Sequence, residues 1–183
     1  SKARKRLLKD IREELSQQPP EGILMVGFKN PSMADKYQGK TIAEASEMRK
    51  QSPEETIIDM IIEDDSRIQC IYFSMSDQNI RKKIKLPWVS FCSDAGSYSD
   101  PKKGFRTHPR AYGSFIRVLG KFSRDENLLS LEEAIRKLSG LPASNLGLKD
   151  RGLLKENYFG DVVIFDPITV GDNATFENPL QYA

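Results

Sequence analysis

The stretch PWVSFCSDAGSYSD, residues 87–100, decides the reading of the fold. Its first part, WVSFC (88–92), is a short apolar run bounded by turn-forming residues, the pattern of a buried strand. Asp94 follows at once in a loop of small residues, and THPR (107–110) then supplies the only histidine of the chain. A carboxylate at the carboxyl end of a strand stands where α/β folds gather their chemistry. The same residue could equally head an Asx turn and satisfy nearby backbone amides, so position alone leaves both roles open.

On the amino-terminal side, Leu7, Leu8, Ile11 and Leu15 recur at helical spacing until Pro19 and Pro20 stop the pattern. GILMVGF (22–28) is too short and too continuously apolar for a surface helix and reads as a buried strand. Thr41 with Glu44, and Ser52 with Glu55 after Pro53, mark two helix starts, because each hydroxyl can accept from the free amides of a first turn. The second of these helices carries Ile57, Ile58, Ile61 and Ile62. IQCIYF (68–73) reads as a strand, and Ser76-Asp77 opens a helix that must end before Pro87.

On the carboxyl-terminal side, Tyr112, Phe115, Ile116 and Leu119 make one helical stripe, with Gly120 placed to end it. Ser130 and Glu133 start another helix, striped by Leu131, Ala134, Ile135 and Leu138. DVVIFDP (161–167) reads as a closing strand. The order is helix, strand, helices, strand, helix, strand, helices, strand, which favours an α/β fold with a parallel or mixed sheet. A seam is expected near residue 86.

The totals set wide bounds. The chain has 183 residues, and 28 basic against 26 acidic side chains leave a net charge of only +2, so no global field points to nucleic acid or a membrane. Cys70 and Cys92 form no C-x-x-C unit or disulfide framework, which suits a reducing cytoplasm. Neither a spanning apolar stretch nor a signal-peptide pattern is visible, and a cytoplasmic location is expected.

Few residues stand out for chemistry. His108, being single, cannot belong to a multi-histidine metal site within this chain, and Cys70, Cys92, Asp94 and His108 match no common zinc spacing. Arg110 sits in the first turn after Pro109, where the helix dipole disfavours a cation. Either it grips an anion through its planar fork or it is an ordinary surface arginine. Lys2, Arg4, Lys5, Arg6 and Lys9 are diluted by Asp10, Glu13 and Glu14 and read as a solvated face. Nucleotide-binding glycine loops and a G-x-S-x-G elbow are absent from the sequence.

Taken together, EGILMVGFKNP, YQGKTIAEASEMR, SPEETIIDMIIED, IYFSMSDQNIR, PWVSFCSDAG, HPRAYGSFIRVLGKF, LSLEEAIRKLSGLPASNLGLKDRGLLKENYFGDVVIFDP and ATFENPLQYA resemble the carboxyl-terminal portion of the N-acyl-D-amino-acid deacylases, or D-aminoacylases, of the amidohydrolase superfamily. The resemblance covers nearly the whole chain. It implies a fragment of a zinc-dependent (β/α)₈ barrel with an inserted α/β lid and part of a flanking β-sandwich. The boundaries expected are 1–86 for the lid, 87–150 for the last barrel strand and following helices, and 151–183 for the sandwich segment.

The resemblance also implies roles. Asp94 would be the catalytic residue, touching a metal-bound water and moving protons from water to the leaving nitrogen, with the remaining metal ligands outside this chain. Arg110 would hold the α-carboxylate of the substrate, and Tyr72 and Met75 would shape the lid side of its side-chain pocket, where a thioether adapts to varied apolar groups. Where that family usually has Gly-Ser/Thr-Asp-Gly, this chain has Cys92, Ser93, Asp94 and Ala95. The implied partners are a small-molecule N-acyl-D-amino acid and the remainder of the barrel, without nucleic acid or membrane. Zinc is implied for the full-length enzyme and none for the fragment, which alone should be inactive. The alternatives are another amidohydrolase, acting on cyclic amides or dipeptides, and a non-catalytic binding module.

Overall fold

A computed structural model of the protein describes residues 2–97 and 107–183. Residues 98–106, which fall inside the segment expected over 87–150, lie outside the described residues. The chain divides into two compact units. The first extends to Ser74 and includes Thr107 and His108; the second begins at Met75, resumes at Pro109 and ends at Ala183.

The first unit is built on two strands, β1 (Ile23–Gly27) and β2 (Gln69–Tyr72), which pair antiparallel with Ile23 opposite Tyr72 and Met25 opposite Cys70. The parallel or mixed sheet expected from the element order is therefore corrected here. Helices intervene between the two strands in sequence, but they return the chain to the neighbouring position in the opposite direction. Those helices are α2 (Pro31–Tyr37), α3 (Ile42–Arg49) and α4 (Pro53–Asp64), preceded by α1 (Lys2–Gln17). Ile23, Met25, Met33, Tyr37, Ile42, Ala45 and Met60 form the core, with Leu15 and Ile57 packed against it.

The expected caps form. Thr41 and Glu44 satisfy each other's backbone amides at the start of α3, while the Ser52 hydroxyl accepts from the Glu55 amide ahead of Pro53 in α4. α1 buries no residue completely and is tied down by ion pairs to α4, Arg4 to Asp59 and Arg12 to Glu54, each at 2.7 Å. At the far end of α4, the buried Asp64 carboxylate accepts from the backbone amides of Lys29 at 3.1 Å and Asn30 at 2.9 Å, and from the Ser66 hydroxyl. Burial alone would push its pKa up, but these three donors outweigh burial and hold it below the ordinary carboxylate value.

The second unit is helical, with α5 (Asp77–Ile84), α6 (Arg110–Arg117), α7 (Leu131–Leu138) and α8 (Gly140–Asn145). Ile84, Val118, Leu119, Leu129 and Ala134 form its core, and Phe91, Phe165 and Val170 pack against them. Lys137 is completely buried, and its ammonium donates to the carbonyls of Ile84 and Leu86, closing the carboxyl end of α5.

Three expectations are corrected in this unit. The runs 88–92 and 161–167 form no regular strands, because no partner strand among the described residues lies beside either one and a strand cannot satisfy its backbone alone. Val163 and Ile164 are accordingly 84% and 93% exposed. Gly120 does not end the helix begun at Arg110; α6 continues without a break into a π-helical segment, Val118–Asp125. The reason for a glycine there is close approach, since a Cβ on Gly120 would stand 2.7 Å from the Val170 carbonyl oxygen and 3.1 Å from the Gly171 Cα. Among the described residues no helix is long and apolar enough to cross a membrane.

Candidate active site

The candidate site lies within the second unit. Asp94 belongs to an irregular loop rather than to a strand tip, and its backbone takes a left-handed conformation, φ 48°. Asp tolerates that region better than most residues, yet a non-glycine residue there still stores about 1–3 kcal/mol of strain and is over-represented where function fixes the chain. The Asp94 side chain is 80% exposed.

Arg110 is the first residue of α6, after Pro109 at the cap position. The Pro109 carbonyl accepts from the Gly113 amide at 2.9 Å, so the helix begins at the proline as the fixed φ of that residue favours. The Arg110 guanidinium Nη2 meets Asp94 Oδ2 at 3.1 Å. The two residues on which the resemblance places most of the chemistry are thus in direct contact. The carboxylate also offsets the unfavourable position of a cation at the positive end of the helix dipole.

Both partners are solvent-exposed, Asp94 the more so, and the pair contributes about 0–1 kcal/mol.

The other expected site residues lie apart in the chain's organisation. Tyr72 ends β2 in the first unit and is 58% exposed, and desolvation raises its phenol pKa above the ordinary value. Met75 starts the second unit and is 71% exposed. Neither belongs to a hydrophobic core. His108, half-buried, belongs to the first unit.

The residues present do not fit a metal. Among the described residues no group of three or more His, Cys, Asp or Glu side chains is placed to hold one. Cys92 is a free, exposed thiol close in sequence to Asp94, and Cys70 is a free thiol whose pKa burial pushes up to about 11, far from a ready thiolate ligand.

Sequence reasoning missed the side chains that hold α6 in place. Arg117 donates to Asp172 Oδ2 at 2.7 Å, and Gly113 lies directly beneath Asp172. A partner 55 residues away leaves no local pattern, but a glycine in the middle of a helical stripe is a legible sign that something packs tightly there.

Residues 80–181 match the model of the Amidohydrolase family. A D-aminoacylase of Alcaligenes xylosoxydans xylosoxydans is 42% identical over 113 residues, 62% of this chain and 22% of the relative. An N-acyl-D-aspartate deacylase of the same organism is 43% identical over 111 residues, 61% of this chain and 21% of the relative. The chain therefore spans about a fifth of the length of the curated relatives it matches. A solved D-aminoacylase, described with a binuclear metal center, superposes with a TM-score of 0.72 at 32% identity, covering 87% of this chain and 31% of that one. An N-acyl-D-glutamate deacylase from Bordetella bronchiseptica, complexed with zinc and a phosphonate inhibitor mimicking the tetrahedral intermediate, superposes with a TM-score of 0.70 at 25% identity, covering 96% and 39%.

Proposed function

The chain belongs to the amidohydrolase family, and from that premise we propose that it forms part of an enzyme hydrolysing N-acyl-D-amino acids to a D-amino acid and a carboxylate. The observation that carries the reading is the Asp94–Arg110 contact: an exposed carboxylate and a guanidinium 3.1 Å apart, within the residues that match the Amidohydrolase family model.

In the proposed reaction Arg110 binds the α-carboxylate of the substrate through two parallel N–H···O bonds, replacing Asp94 as its partner. Asp94 then accepts a proton from water as the water oxygen bonds to the acyl carbon. As the C–N bond breaks, the Asp94 carboxyl gives that proton to the leaving nitrogen. One water is consumed, and the acid and the amine leave with their protons balanced. Proton transfer of this kind contributes about 10²- to 10⁴-fold.

Zinc in the complete enzyme would be held by residues outside this chain, and every step above belongs to Asp94, Arg110 and water. The segment 1–86 is assigned as the lid, with Tyr72 and Met75 facing the substrate side chain. Residues 87–150 would supply the last barrel strand, which needs barrel neighbours from outside this chain to become regular, and its helices, and 151–183 would belong to the flanking sandwich. The exposure of Val163 and Ile164 supports the last assignment, since a run this apolar normally packs against neighbouring strands and an opposing sheet. Two free cysteines suit a reducing cytoplasm.

The test is a panel of N-acetyl-D- and N-acetyl-L-amino acids given to the complete protein with zinc. Release of D-methionine from N-acetyl-D-methionine, with the L-isomer inert, is the expected result. Equal hydrolysis of both isomers, or none of the D-isomer, refutes the assignment.

A further inference from the structure

Resting on the reading of Arg110 as a carboxylate clamp, we propose that Asp172 is a positioning residue that sets the aim of Arg110 through the buried face of α6. The helix begins without a side-chain cap hydrogen bond, since Pro109 has none to offer, and the Asp94 contact at its start is solvent-exposed. Its anchors come from the opposite end of the unit. Arg110, Gly113 and Arg117 are spaced three and four residues apart and share one face. One turn after Arg110, a Cβ on Gly113 would lie 3.2 Å from Asp172 Cβ and 3.6 Å from Ala174 Cβ, so the helix rests directly on this segment. Two turns after Arg110, the Arg117 Nη1 donates to Asp172 Oδ2 at 2.7 Å.

The Asp172 side chain is only 14% exposed, and a carboxylate so placed needs its cation. Flanking contacts hold the segment that carries it. Tyr112 and Tyr182 meet edge to face with centroids 5.0 Å apart, and the Asn173 amide donates to the Tyr182 carbonyl at 3.0 Å. A rotation of α6 by about 20° would move a side-chain tip ~6 Å from the axis by ~2 Å. A displacement of about 1 Å at a binding group can cost ~10²-fold. The ion pair, two turns along the same helix face from Arg110, therefore acts on the substrate through Arg110.

The experiment uses the complete enzyme and two substrates, N-acetyl-D-methionine and its uncharged amide, N-acetyl-D-methioninamide. Asp172→Ala is expected to lower kcat/KM for the acid roughly ten- to a hundred-fold, mainly through KM, while the amide changes by less than about twofold. Arg117→Ala is expected to show the same selective loss, and Arg117→Lys, which keeps a cation for Asp172, to retain most of the activity toward the acid. Arg110→Ala is the benchmark and must show the same selective loss. If Arg110→Ala is selective but Asp172→Ala slows both substrates in parallel, Asp172 is merely structural and the proposal is overturned while the clamp stands. If Arg110→Ala itself shows no selectivity for the carboxylate, the clamp reading fails and this proposal with it.

Discussion

Gly120→Ala sets two physical effects against each other and lets magnitude decide. In an ordinary helix the change stabilises, because glycine is about 0.5–1 kcal/mol worse than alanine in a helix interior. Here the new methyl would stand 2.7 Å from the Val170 carbonyl oxygen and 3.1 Å from the Gly171 Cα. Both obstacles are backbone, so no rotamer change relieves them, and ordinary C···O contacts begin at about 3.3 Å. The segment must move by at least half an ångström or so, and overpacking of this kind costs about 1–3 kcal/mol. The net expectation is a loss of about 1–2 kcal/mol, or ~2–8 °C in Tm for a chain of this size. Urea denaturation followed by circular dichroism reads it directly: the midpoint should fall while the slope m stays constant. An unchanged or raised midpoint would mean that the Val170 carbonyl is not seated on Gly120, and the account of the π-helical segment would be wrong.

Other outcomes follow from particular contacts. Met60→Ala, at a site 1% exposed in the core of the first unit, should cost about 2–5 kcal/mol in the same denaturation assay. Asp64 has a folded pKa below its unfolded value of ~3.9, so its contribution is complete above that pH and is lost as pH falls through the folded pKa. Asp64→Asn should therefore flatten the acid limb of stability below about pH 4. Lys137→Met keeps the length of the side chain but leaves the Ile84 and Leu86 carbonyls without their donor, and should cost about 1–3 kcal/mol.

What the sequence revealed was mainly local. The hydroxyl caps at Thr41, Ser52, Ser76 and Ser130 each accept from the expected backbone amide, because a capping interaction spans only three residues. The strands at 23–27 and 69–72 were legible from their apolar β-rich runs, but not their antiparallel pairing, which depends on how three intervening helices turn the chain. The runs 88–92 and 161–167 have strand composition without strand structure, since a ladder needs a neighbour and none is present among the described residues. Gly120 shows the same limit from another side. A helix-terminating glycine and one that admits a crossing backbone look identical in sequence, and only the position of Val170 separates them. For the site, Asp94 and Arg110 were visible as residues and their contact was not, because it joins a loop to a helix start sixteen positions later. The Arg117–Asp172 pair was not legible at all.

The most direct test of the central claim is the kcat of the complete enzyme carrying Asp94→Asn, assayed on N-acetyl-D-methionine. The substitution keeps the size of the side chain and removes its ability to take up and release a proton, so a fall of about 10²- to 10⁴-fold is predicted, with the fold intact by circular dichroism. A rate within about threefold of the unaltered enzyme would contradict the assignment of Asp94 as the proton-transfer group.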